Sequence, residues 1–208
     1  MANKKQPAWV VTGDRIAIGI VTVGALLAAA AIIAVFAVTL VGQLTTGEMT
    51  VTLLPYSPVP DGFFHGIALE SADFTEATVV TAGLSSGVVG TLIAANAVGA
   101  LTSLIVAIAL AFMGWRLLKG DPFRRSVLWT SLTAAIALVI GPLIGLLLTT
   151  IGQTLALMEI AGPAAGEGGL PFRGELELTP VLVGLGLAVV LGVFEFGQKL
   201  KADTDGLV

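Results

Sequence analysis

The sequence predicts an all-α transmembrane protein, a four-helix bundle with a small extracellular β-containing cap, and three observations predict it. Hydrophobic residues make up 56% of the 208 and charged residues only 12%, with a mean hydropathy of +0.99, far too apolar for a water-soluble domain of this size. Four apolar runs, at about residues 16–40, 91–118, 127–155 and 179–198, can each span a hydrocarbon core that takes about 20 helical residues. Basic residues collect on one side of that pattern: nine of the ten Lys and Arg fall in segments assigned to the cytoplasm and one, Arg173, falls outside. The whole chain, residues 1–208, is then expected to be a single membrane domain.

The orientation rests on the connector at residues 119–126. With the end of the preceding run it reads Met-Gly-Trp-Arg-Leu-Leu-Lys-Gly-Asp-Pro-Phe-Arg-Arg-Ser, and it holds Arg116, Lys119, Arg124 and Arg125 between two apolar runs. Basic residues beside apolar spans are retained in the cytoplasm, so this is an inside turn, and both termini follow it to that side. The same four cations can meet lipid headgroups, an attraction worth about 1 kcal/mol per residue near an anionic surface. Trp115 and Trp129 flank the connector and Trp9 precedes the first run, where indoles anchor at the headgroup level.

Ahead of the first run, residues 1–14 are short and polar, with Lys4 and Lys5. The run itself has 25 residues, against about 7 to 15 in the core of a cleaved signal peptide, so it is expected to stay as an anchor. Residues 43–86 form the first outer loop, rich in Thr, Pro, Gly and acid and free of basic residues. Residues 48–54 and 76–82 in it are β-branched and partly alternating, which reads as two short strands, with Pro55, Pro58, Pro60 and Gly62 breaking the backbone around Tyr56. Ser85 or Ser86 is placed to cap the second helix.

Pro142 falls in the middle of the third run, where it removes one backbone donor and is expected to bend the helix. Residues 156–178 are the second outer loop, ending in Glu175, Leu176, Glu177 and Leu178, whose alternation predicts a third strand adding to the cap. The fourth run then returns the chain to the cytoplasm. The two hairpins differ in loop length and content, so no internal repeat is read.

Composition excludes much chemistry. With no cysteine there is no disulfide, thiolate metal site or cysteine nucleophile, and the single histidine, His65, excludes a two-histidine zinc helix. No Gly-rich phosphate loop or nucleophile elbow occurs, so no catalytic residue, cofactor or metal site is assigned and an enzyme is not expected. His65, beside Phe63 and Phe64, reads as an ordinary residue of the cap.

Small residues recur at four-residue spacing: Gly24 and Ala28, Ala95 and Gly99, Gly141 and Gly145, and Gly184, Ala188 and Gly192. In lipid, helices associate by close packing, so these are helix-packing positions, chiefly within the bundle and otherwise at an interface with another chain. Glu195 is a candidate polar membrane site, because an acid in an apolar span is a default candidate for ion handling. Lys199, four residues on, instead makes it the partner in a surface ion pair near the inner end of the helix.

Gly120, Asp121, Pro122, Phe123, Arg124 and Arg125, together with Val193 to Leu200 and Asp205 to Val208, resemble a family of bacterial four-helix membrane proteins, the domain-of-unknown-function family 2975. The resemblance implies a multi-pass protein of the bacterial inner membrane, often encoded beside a small helix-turn-helix regulator, with no catalytic residues to carry over. The plan of four spans with a larger β-containing first outer loop is also similar to the claudin-like one, although this chain lacks that family's outer-loop cysteine pair and Trp-Gly-Leu-Trp signature.

The function expected from these features is non-enzymatic: an accessory, regulatory or self-associating scaffold protein acting through contacts. Its partners would be the lipid bilayer and, through small-residue helix faces or the outer cap, a second copy or a membrane protein; no nucleic acid is expected. The alternative is a channel or transporter subunit. Four mostly apolar spans offer few polar lining groups, so such a subunit would have to oligomerise to form a polar path.

Overall fold

A computed structural model of the chain describes residues 8–53, 57–58, 73–74, 77–119, 125–161 and 177–205. The apolar runs become four helices: α1 (Ala8–Thr46), α2 (Ser86–Leu118), α3 (Arg125–Ala161) and α4 (Leu178–Asp205). Between α1 and α2 lie the strands β1 (Glu48–Leu53), β2 (Ser57–Pro58), β3 (Asp73–Phe74) and β4 (Ala77–Ala82).

Every helix outruns its apolar segment. α1 has 39 residues and already includes Trp9, which the sequence places ahead of the helix. Hydropathy marks only where the chain avoids water, whereas a helix once started extends by one hydrogen bond per residue and continues through Asp14 and Arg15. At about 1.5 Å per residue α1 is about 58 Å long, nearly twice a hydrocarbon core of about 30 Å.

Three helices are long and apolar enough to cross a membrane, over Arg15–Thr46, Ser86–Leu118 and Ser126–Ile160. Within those stretches only 17%, 22% and 17% of the most apolar residues are buried by the chain itself, so most of the apolar surface needs another cover. α4 has 28 residues, of which Leu178–Val193 form a shorter apolar stretch. α3 continues unbroken through Pro142.

The expected third strand is not formed at its described end. Leu178 is the first residue of α4, while Glu175 and Leu176 lie outside the described residues. Four alternating residues are too few to commit the chain to a strand, and Pro180 in the first turn suits a helix because the N–H it lacks would go unbonded there.

The chain divides into two compact units. One comprises residues 37–97 and 144–175. Here β1 and β4 pair antiparallel, from Glu48 opposite Ala82 to Leu53 opposite Ala77, as the two β-branched stretches predict. A second two-stranded ladder sets Ser57 opposite Phe74 and Pro58 opposite Asp73. Strand alternation turns Met49 and Val51 inward, each 1% exposed, onto Val88 and Leu92 of α2 and Ala156 of α3, while Glu48 and Thr50 face out.

Glycines in the left-handed region close both ends of this hairpin. Gly47, at φ +67°, ends α1 with its N–H donating to the Gln43 carbonyl at 3.1 Å, and Gly83, at φ +88°, links β4 to α2.

The other unit comprises residues 1–36, 98–143 and 176–208. Its buried positions are small: Thr22, Ala25 and Ala29 on α1, Ala107, Ala109 and Ala111 on α2, Ser131, Ala134 and Ala135 on α3. Large apolar residues such as Ile20, Ile136 and Val189 point outward. The inversion of a water-soluble core follows from lipid being as apolar as leucine, which leaves close backbone approach as the way to hold helices together.

Candidate functional site

Four glycines mark where helices come closest. A Cβ at Gly114 of α2 would overlap the Thr22 hydroxyl of α1, and one at Gly141 of α3 would overlap Thr102 of α2. At Gly184 of α4 an added Cβ would lie 2.9 Å from the Ala135 carbonyl oxygen and 2.9 Å from the Leu138 Cβ of α3. In the hairpin-bearing unit, a Cβ at Gly152 of α3 would come within 2.8 Å of the Leu92 Cδ2. Met113 and Ser131 also meet, the hydroxyl donating to the thioether at 3.2 Å. Since Thr102 faces Gly141 and Met113 faces Ser131, α2 and α3 run antiparallel in this unit.

Both threonines that face glycines spend their hydroxyl protons locally, Thr22 on the Ile18 carbonyl at 2.7 Å and Thr102 on the Val98 carbonyl at 2.9 Å. Thr150 does the same with Leu146 at 2.7 Å. A hydroxyl satisfied by its own helix can sit in an apolar contact without an unmet polar group.

Of the small residues marked by spacing, Gly141 and Gly184 lie at close contacts, and Ala95 is buried. Gly145 is half-buried. Gly24, Gly99 and Gly192 have open space where a Cβ would go, and Ala28 and Ala188 are exposed. Gly152 shares the four-residue spacing with the buried Ala156, a pair outside the expected set, whereas that spacing does not mark Gly114, which has Leu110 and Leu118 four residues to either side. For Gly114 the available signal is the ridge Ala107, Ala111 and Gly114, at steps of four and three residues on one face of α2.

At the C-terminal end of α2, Phe112, Trp115, Arg116 and Lys119 form a cation–aromatic cluster. Lys119 Nζ stands 3.9 Å from the Trp115 ring centroid, and the Arg116 guanidinium carbon lies 5.1 Å from Phe112 and 5.9 Å from Trp115. The two rings meet edge-on, with centroids 6.5 Å apart. Arg116 Nε is covered and has no hydrogen-bond partner among the described residues; nor has the Ser126 hydroxyl. Trp129 on α3 is exposed. Arg124 lies outside the described residues, and Arg125 opens α3 with its side chain outside them.

Glu159, in the last turn of α3, caps α2 from a distance. It accepts the Ser85 backbone N–H at 2.8 Å, while the Ser85 carbonyl accepts from Val89 at 3.0 Å and starts the helix. A capping box ordinarily draws such a carboxylate from three residues along the same helix. Position 88 here is a buried valine, and a residue 74 positions away does the work.

Glu195 and Lys199 share α4, four residues apart, but their side chains lie outside the described residues, as do His65, Phe63 and Phe64 altogether. Comparison with protein-family models, with curated proteins and with solved structures finds no match.

Proposed function

We propose that this chain is a non-enzymatic integral membrane protein acting through contacts, as an accessory, regulatory or self-associating scaffold protein. All four helices cross a bacterial inner membrane and both termini are cytoplasmic. The orientation is supported by the nine-to-one division of basic residues, and the fourth crossing by the length of α4. Membership of family 2975 is part of this proposal and rests on the connector and tail residues alone.

One observation carries the contact function. After Gly114, Gly141 and Gly184 have been used inside the chain, two further small-residue pairs stay open, Gly24 with Ala28 on α1 and Ala188 with Gly192 on α4. Small residues four apart on an open helix face let another transmembrane helix approach closely, and glycine in a helix interior costs about 1 kcal/mol relative to alanine when nothing uses it. The buried hydroxyls of Thr22 and Thr150 donate to carbonyls of their own helices, so they favour packing over a solute path.

The test exploits the lack of native cysteine. Ala28→Cys and Ala188→Cys variants, oxidised in native membranes, should yield a disulfide-linked dimer or, with a bifunctional thiol–amine reagent, a defined adduct to another membrane protein. No adduct from either position, together with a monomeric mass in mild detergent, would overturn the proposal.

A further inference from the structure

We propose that the cluster of Phe112, Trp115, Arg116 and Lys119 binds the phosphate of an anionic phospholipid. The four residues follow one another at steps of three, one and three, which places them on a single side of α2 at its last turns. Two cations attend one indole, at 3.9 and 5.9 Å from its centroid. Like charges gathered on one ring repel, and a bound anion removes that repulsion.

The surrounding charge points the same way. Residues 116–125 contain four cations and one acid, Asp121, a net +3. The carbonyl end of a helix carries about half a negative charge and would repel an anion, but Arg116 and Lys119 outweigh it fourfold on formal charge (about +2 against about −0.5). Arg116 is the suitable partner, since a guanidinium can meet two phosphate oxygens at once while the exposed Lys119 ammonium adds a third donor.

Phospholipid is favoured over a free anion by what lies beside the cations. Trp115 is 48% exposed, and Leu101 and Ile108 on the same side of the helix are exposed apolar residues, so a headgroup at the cations would have apolar surface for its acyl chains within reach. An indole with one apolar and one hydrogen-bonding side suits that boundary. The site is independent of the small-residue faces on which the proposed function rests.

The probe is the full chain in mild detergent, titrated with phosphatidylglycerol or phosphatidylcholine and read by native mass spectrometry. The expected result is preferential retention of phosphatidylglycerol, weakened about fivefold by Lys119→Gln and about thirtyfold by Arg116→Gln with Lys119→Gln. Lys119 is exposed, so its variant reports on binding even if the double variant is poorly folded. A charge-matched control, Lys199→Gln with Lys201→Gln, should leave binding unchanged. Equal retention of the two lipids, an equal loss in the control, or displacement of the lipid by millimolar inorganic phosphate would each overturn the proposal.

Discussion

The two compact units differ in what they bury where the hairpin packs. Against its hairpin, the first unit buries the larger side chains Met49, Val51, Val88 and Leu92 and turns polar strand positions outward, while its helices also bury Ala95, Thr150 and Ala156 and expose Ile144, Leu147 and Ile151. The other buries alanine, serine and threonine and turns isoleucine, leucine and valine outward. Around the strand residues Met49 and Val51 water favours burial, because removing apolar surface from water is favourable by about 25 cal/mol per Å². That term vanishes in lipid, where close fit must supply the attraction, and the glycines at positions 114, 141 and 184 allow it.

Six substitutions can break or sharpen that contrast. The largest effect is expected from Met49→Ala, which removes a side chain 1% exposed at the centre of the hairpin unit and should cost about 3 kcal/mol. Val80→Ala on the neighbouring strand, 63% exposed, should cost less than about 0.5 kcal/mol, both read from thermal unfolding in detergent. Equal effects would mean that the hairpin has no apolar core.

Next comes Gly184→Ala, whose Cβ meets the backbone oxygen of Ala135 and should destabilise by about 2 kcal/mol. Gly192→Ala on the same helix meets nothing and should raise stability by up to about 1 kcal/mol through helix propensity, unless a partner helix occupies that face. Opposite signs from the same substitution would separate close packing from propensity. Gly83→Ala forces a left-handed φ on a side chain and should cost about 1 kcal/mol. The smallest effect is expected from Glu159→Gln, which keeps an acceptor for Ser85 but loses its charge. Faster amide hydrogen exchange at the start of α2, with little change in Tm, is the expected signature.

Much of this fold is legible in the sequence because lipid and strand alternation both leave one-dimensional marks. The helices follow from hydropathy and the long strands from their β-branched stretches, with helix boundaries off by up to eight residues where helical hydrogen bonding outlasts the apolar run. The close contacts are less legible. Four-residue spacing marks Gly141 and Gly184 but equally marks Gly24, Gly99 and Gly192, which meet nothing, since spacing says that an approach is allowed and not which helix makes it. Gly114 finds its match only when Thr22, 92 residues earlier, is brought beside it. The Ser85–Glu159 cap has no local signature, because the expected helper position on α2 is occupied by valine.

The most direct test of lipid as the solvent for these helices is single-cysteine labelling of intact cells with a membrane-impermeant maleimide, clean because the chain has no cysteine of its own. Val80→Cys should label from outside, whereas Lys119→Cys and Asp205→Cys should label only after the membrane is broken. External labelling of Asp205→Cys would show that α4 does not cross, and external labelling of Lys119→Cys would contradict the orientation altogether.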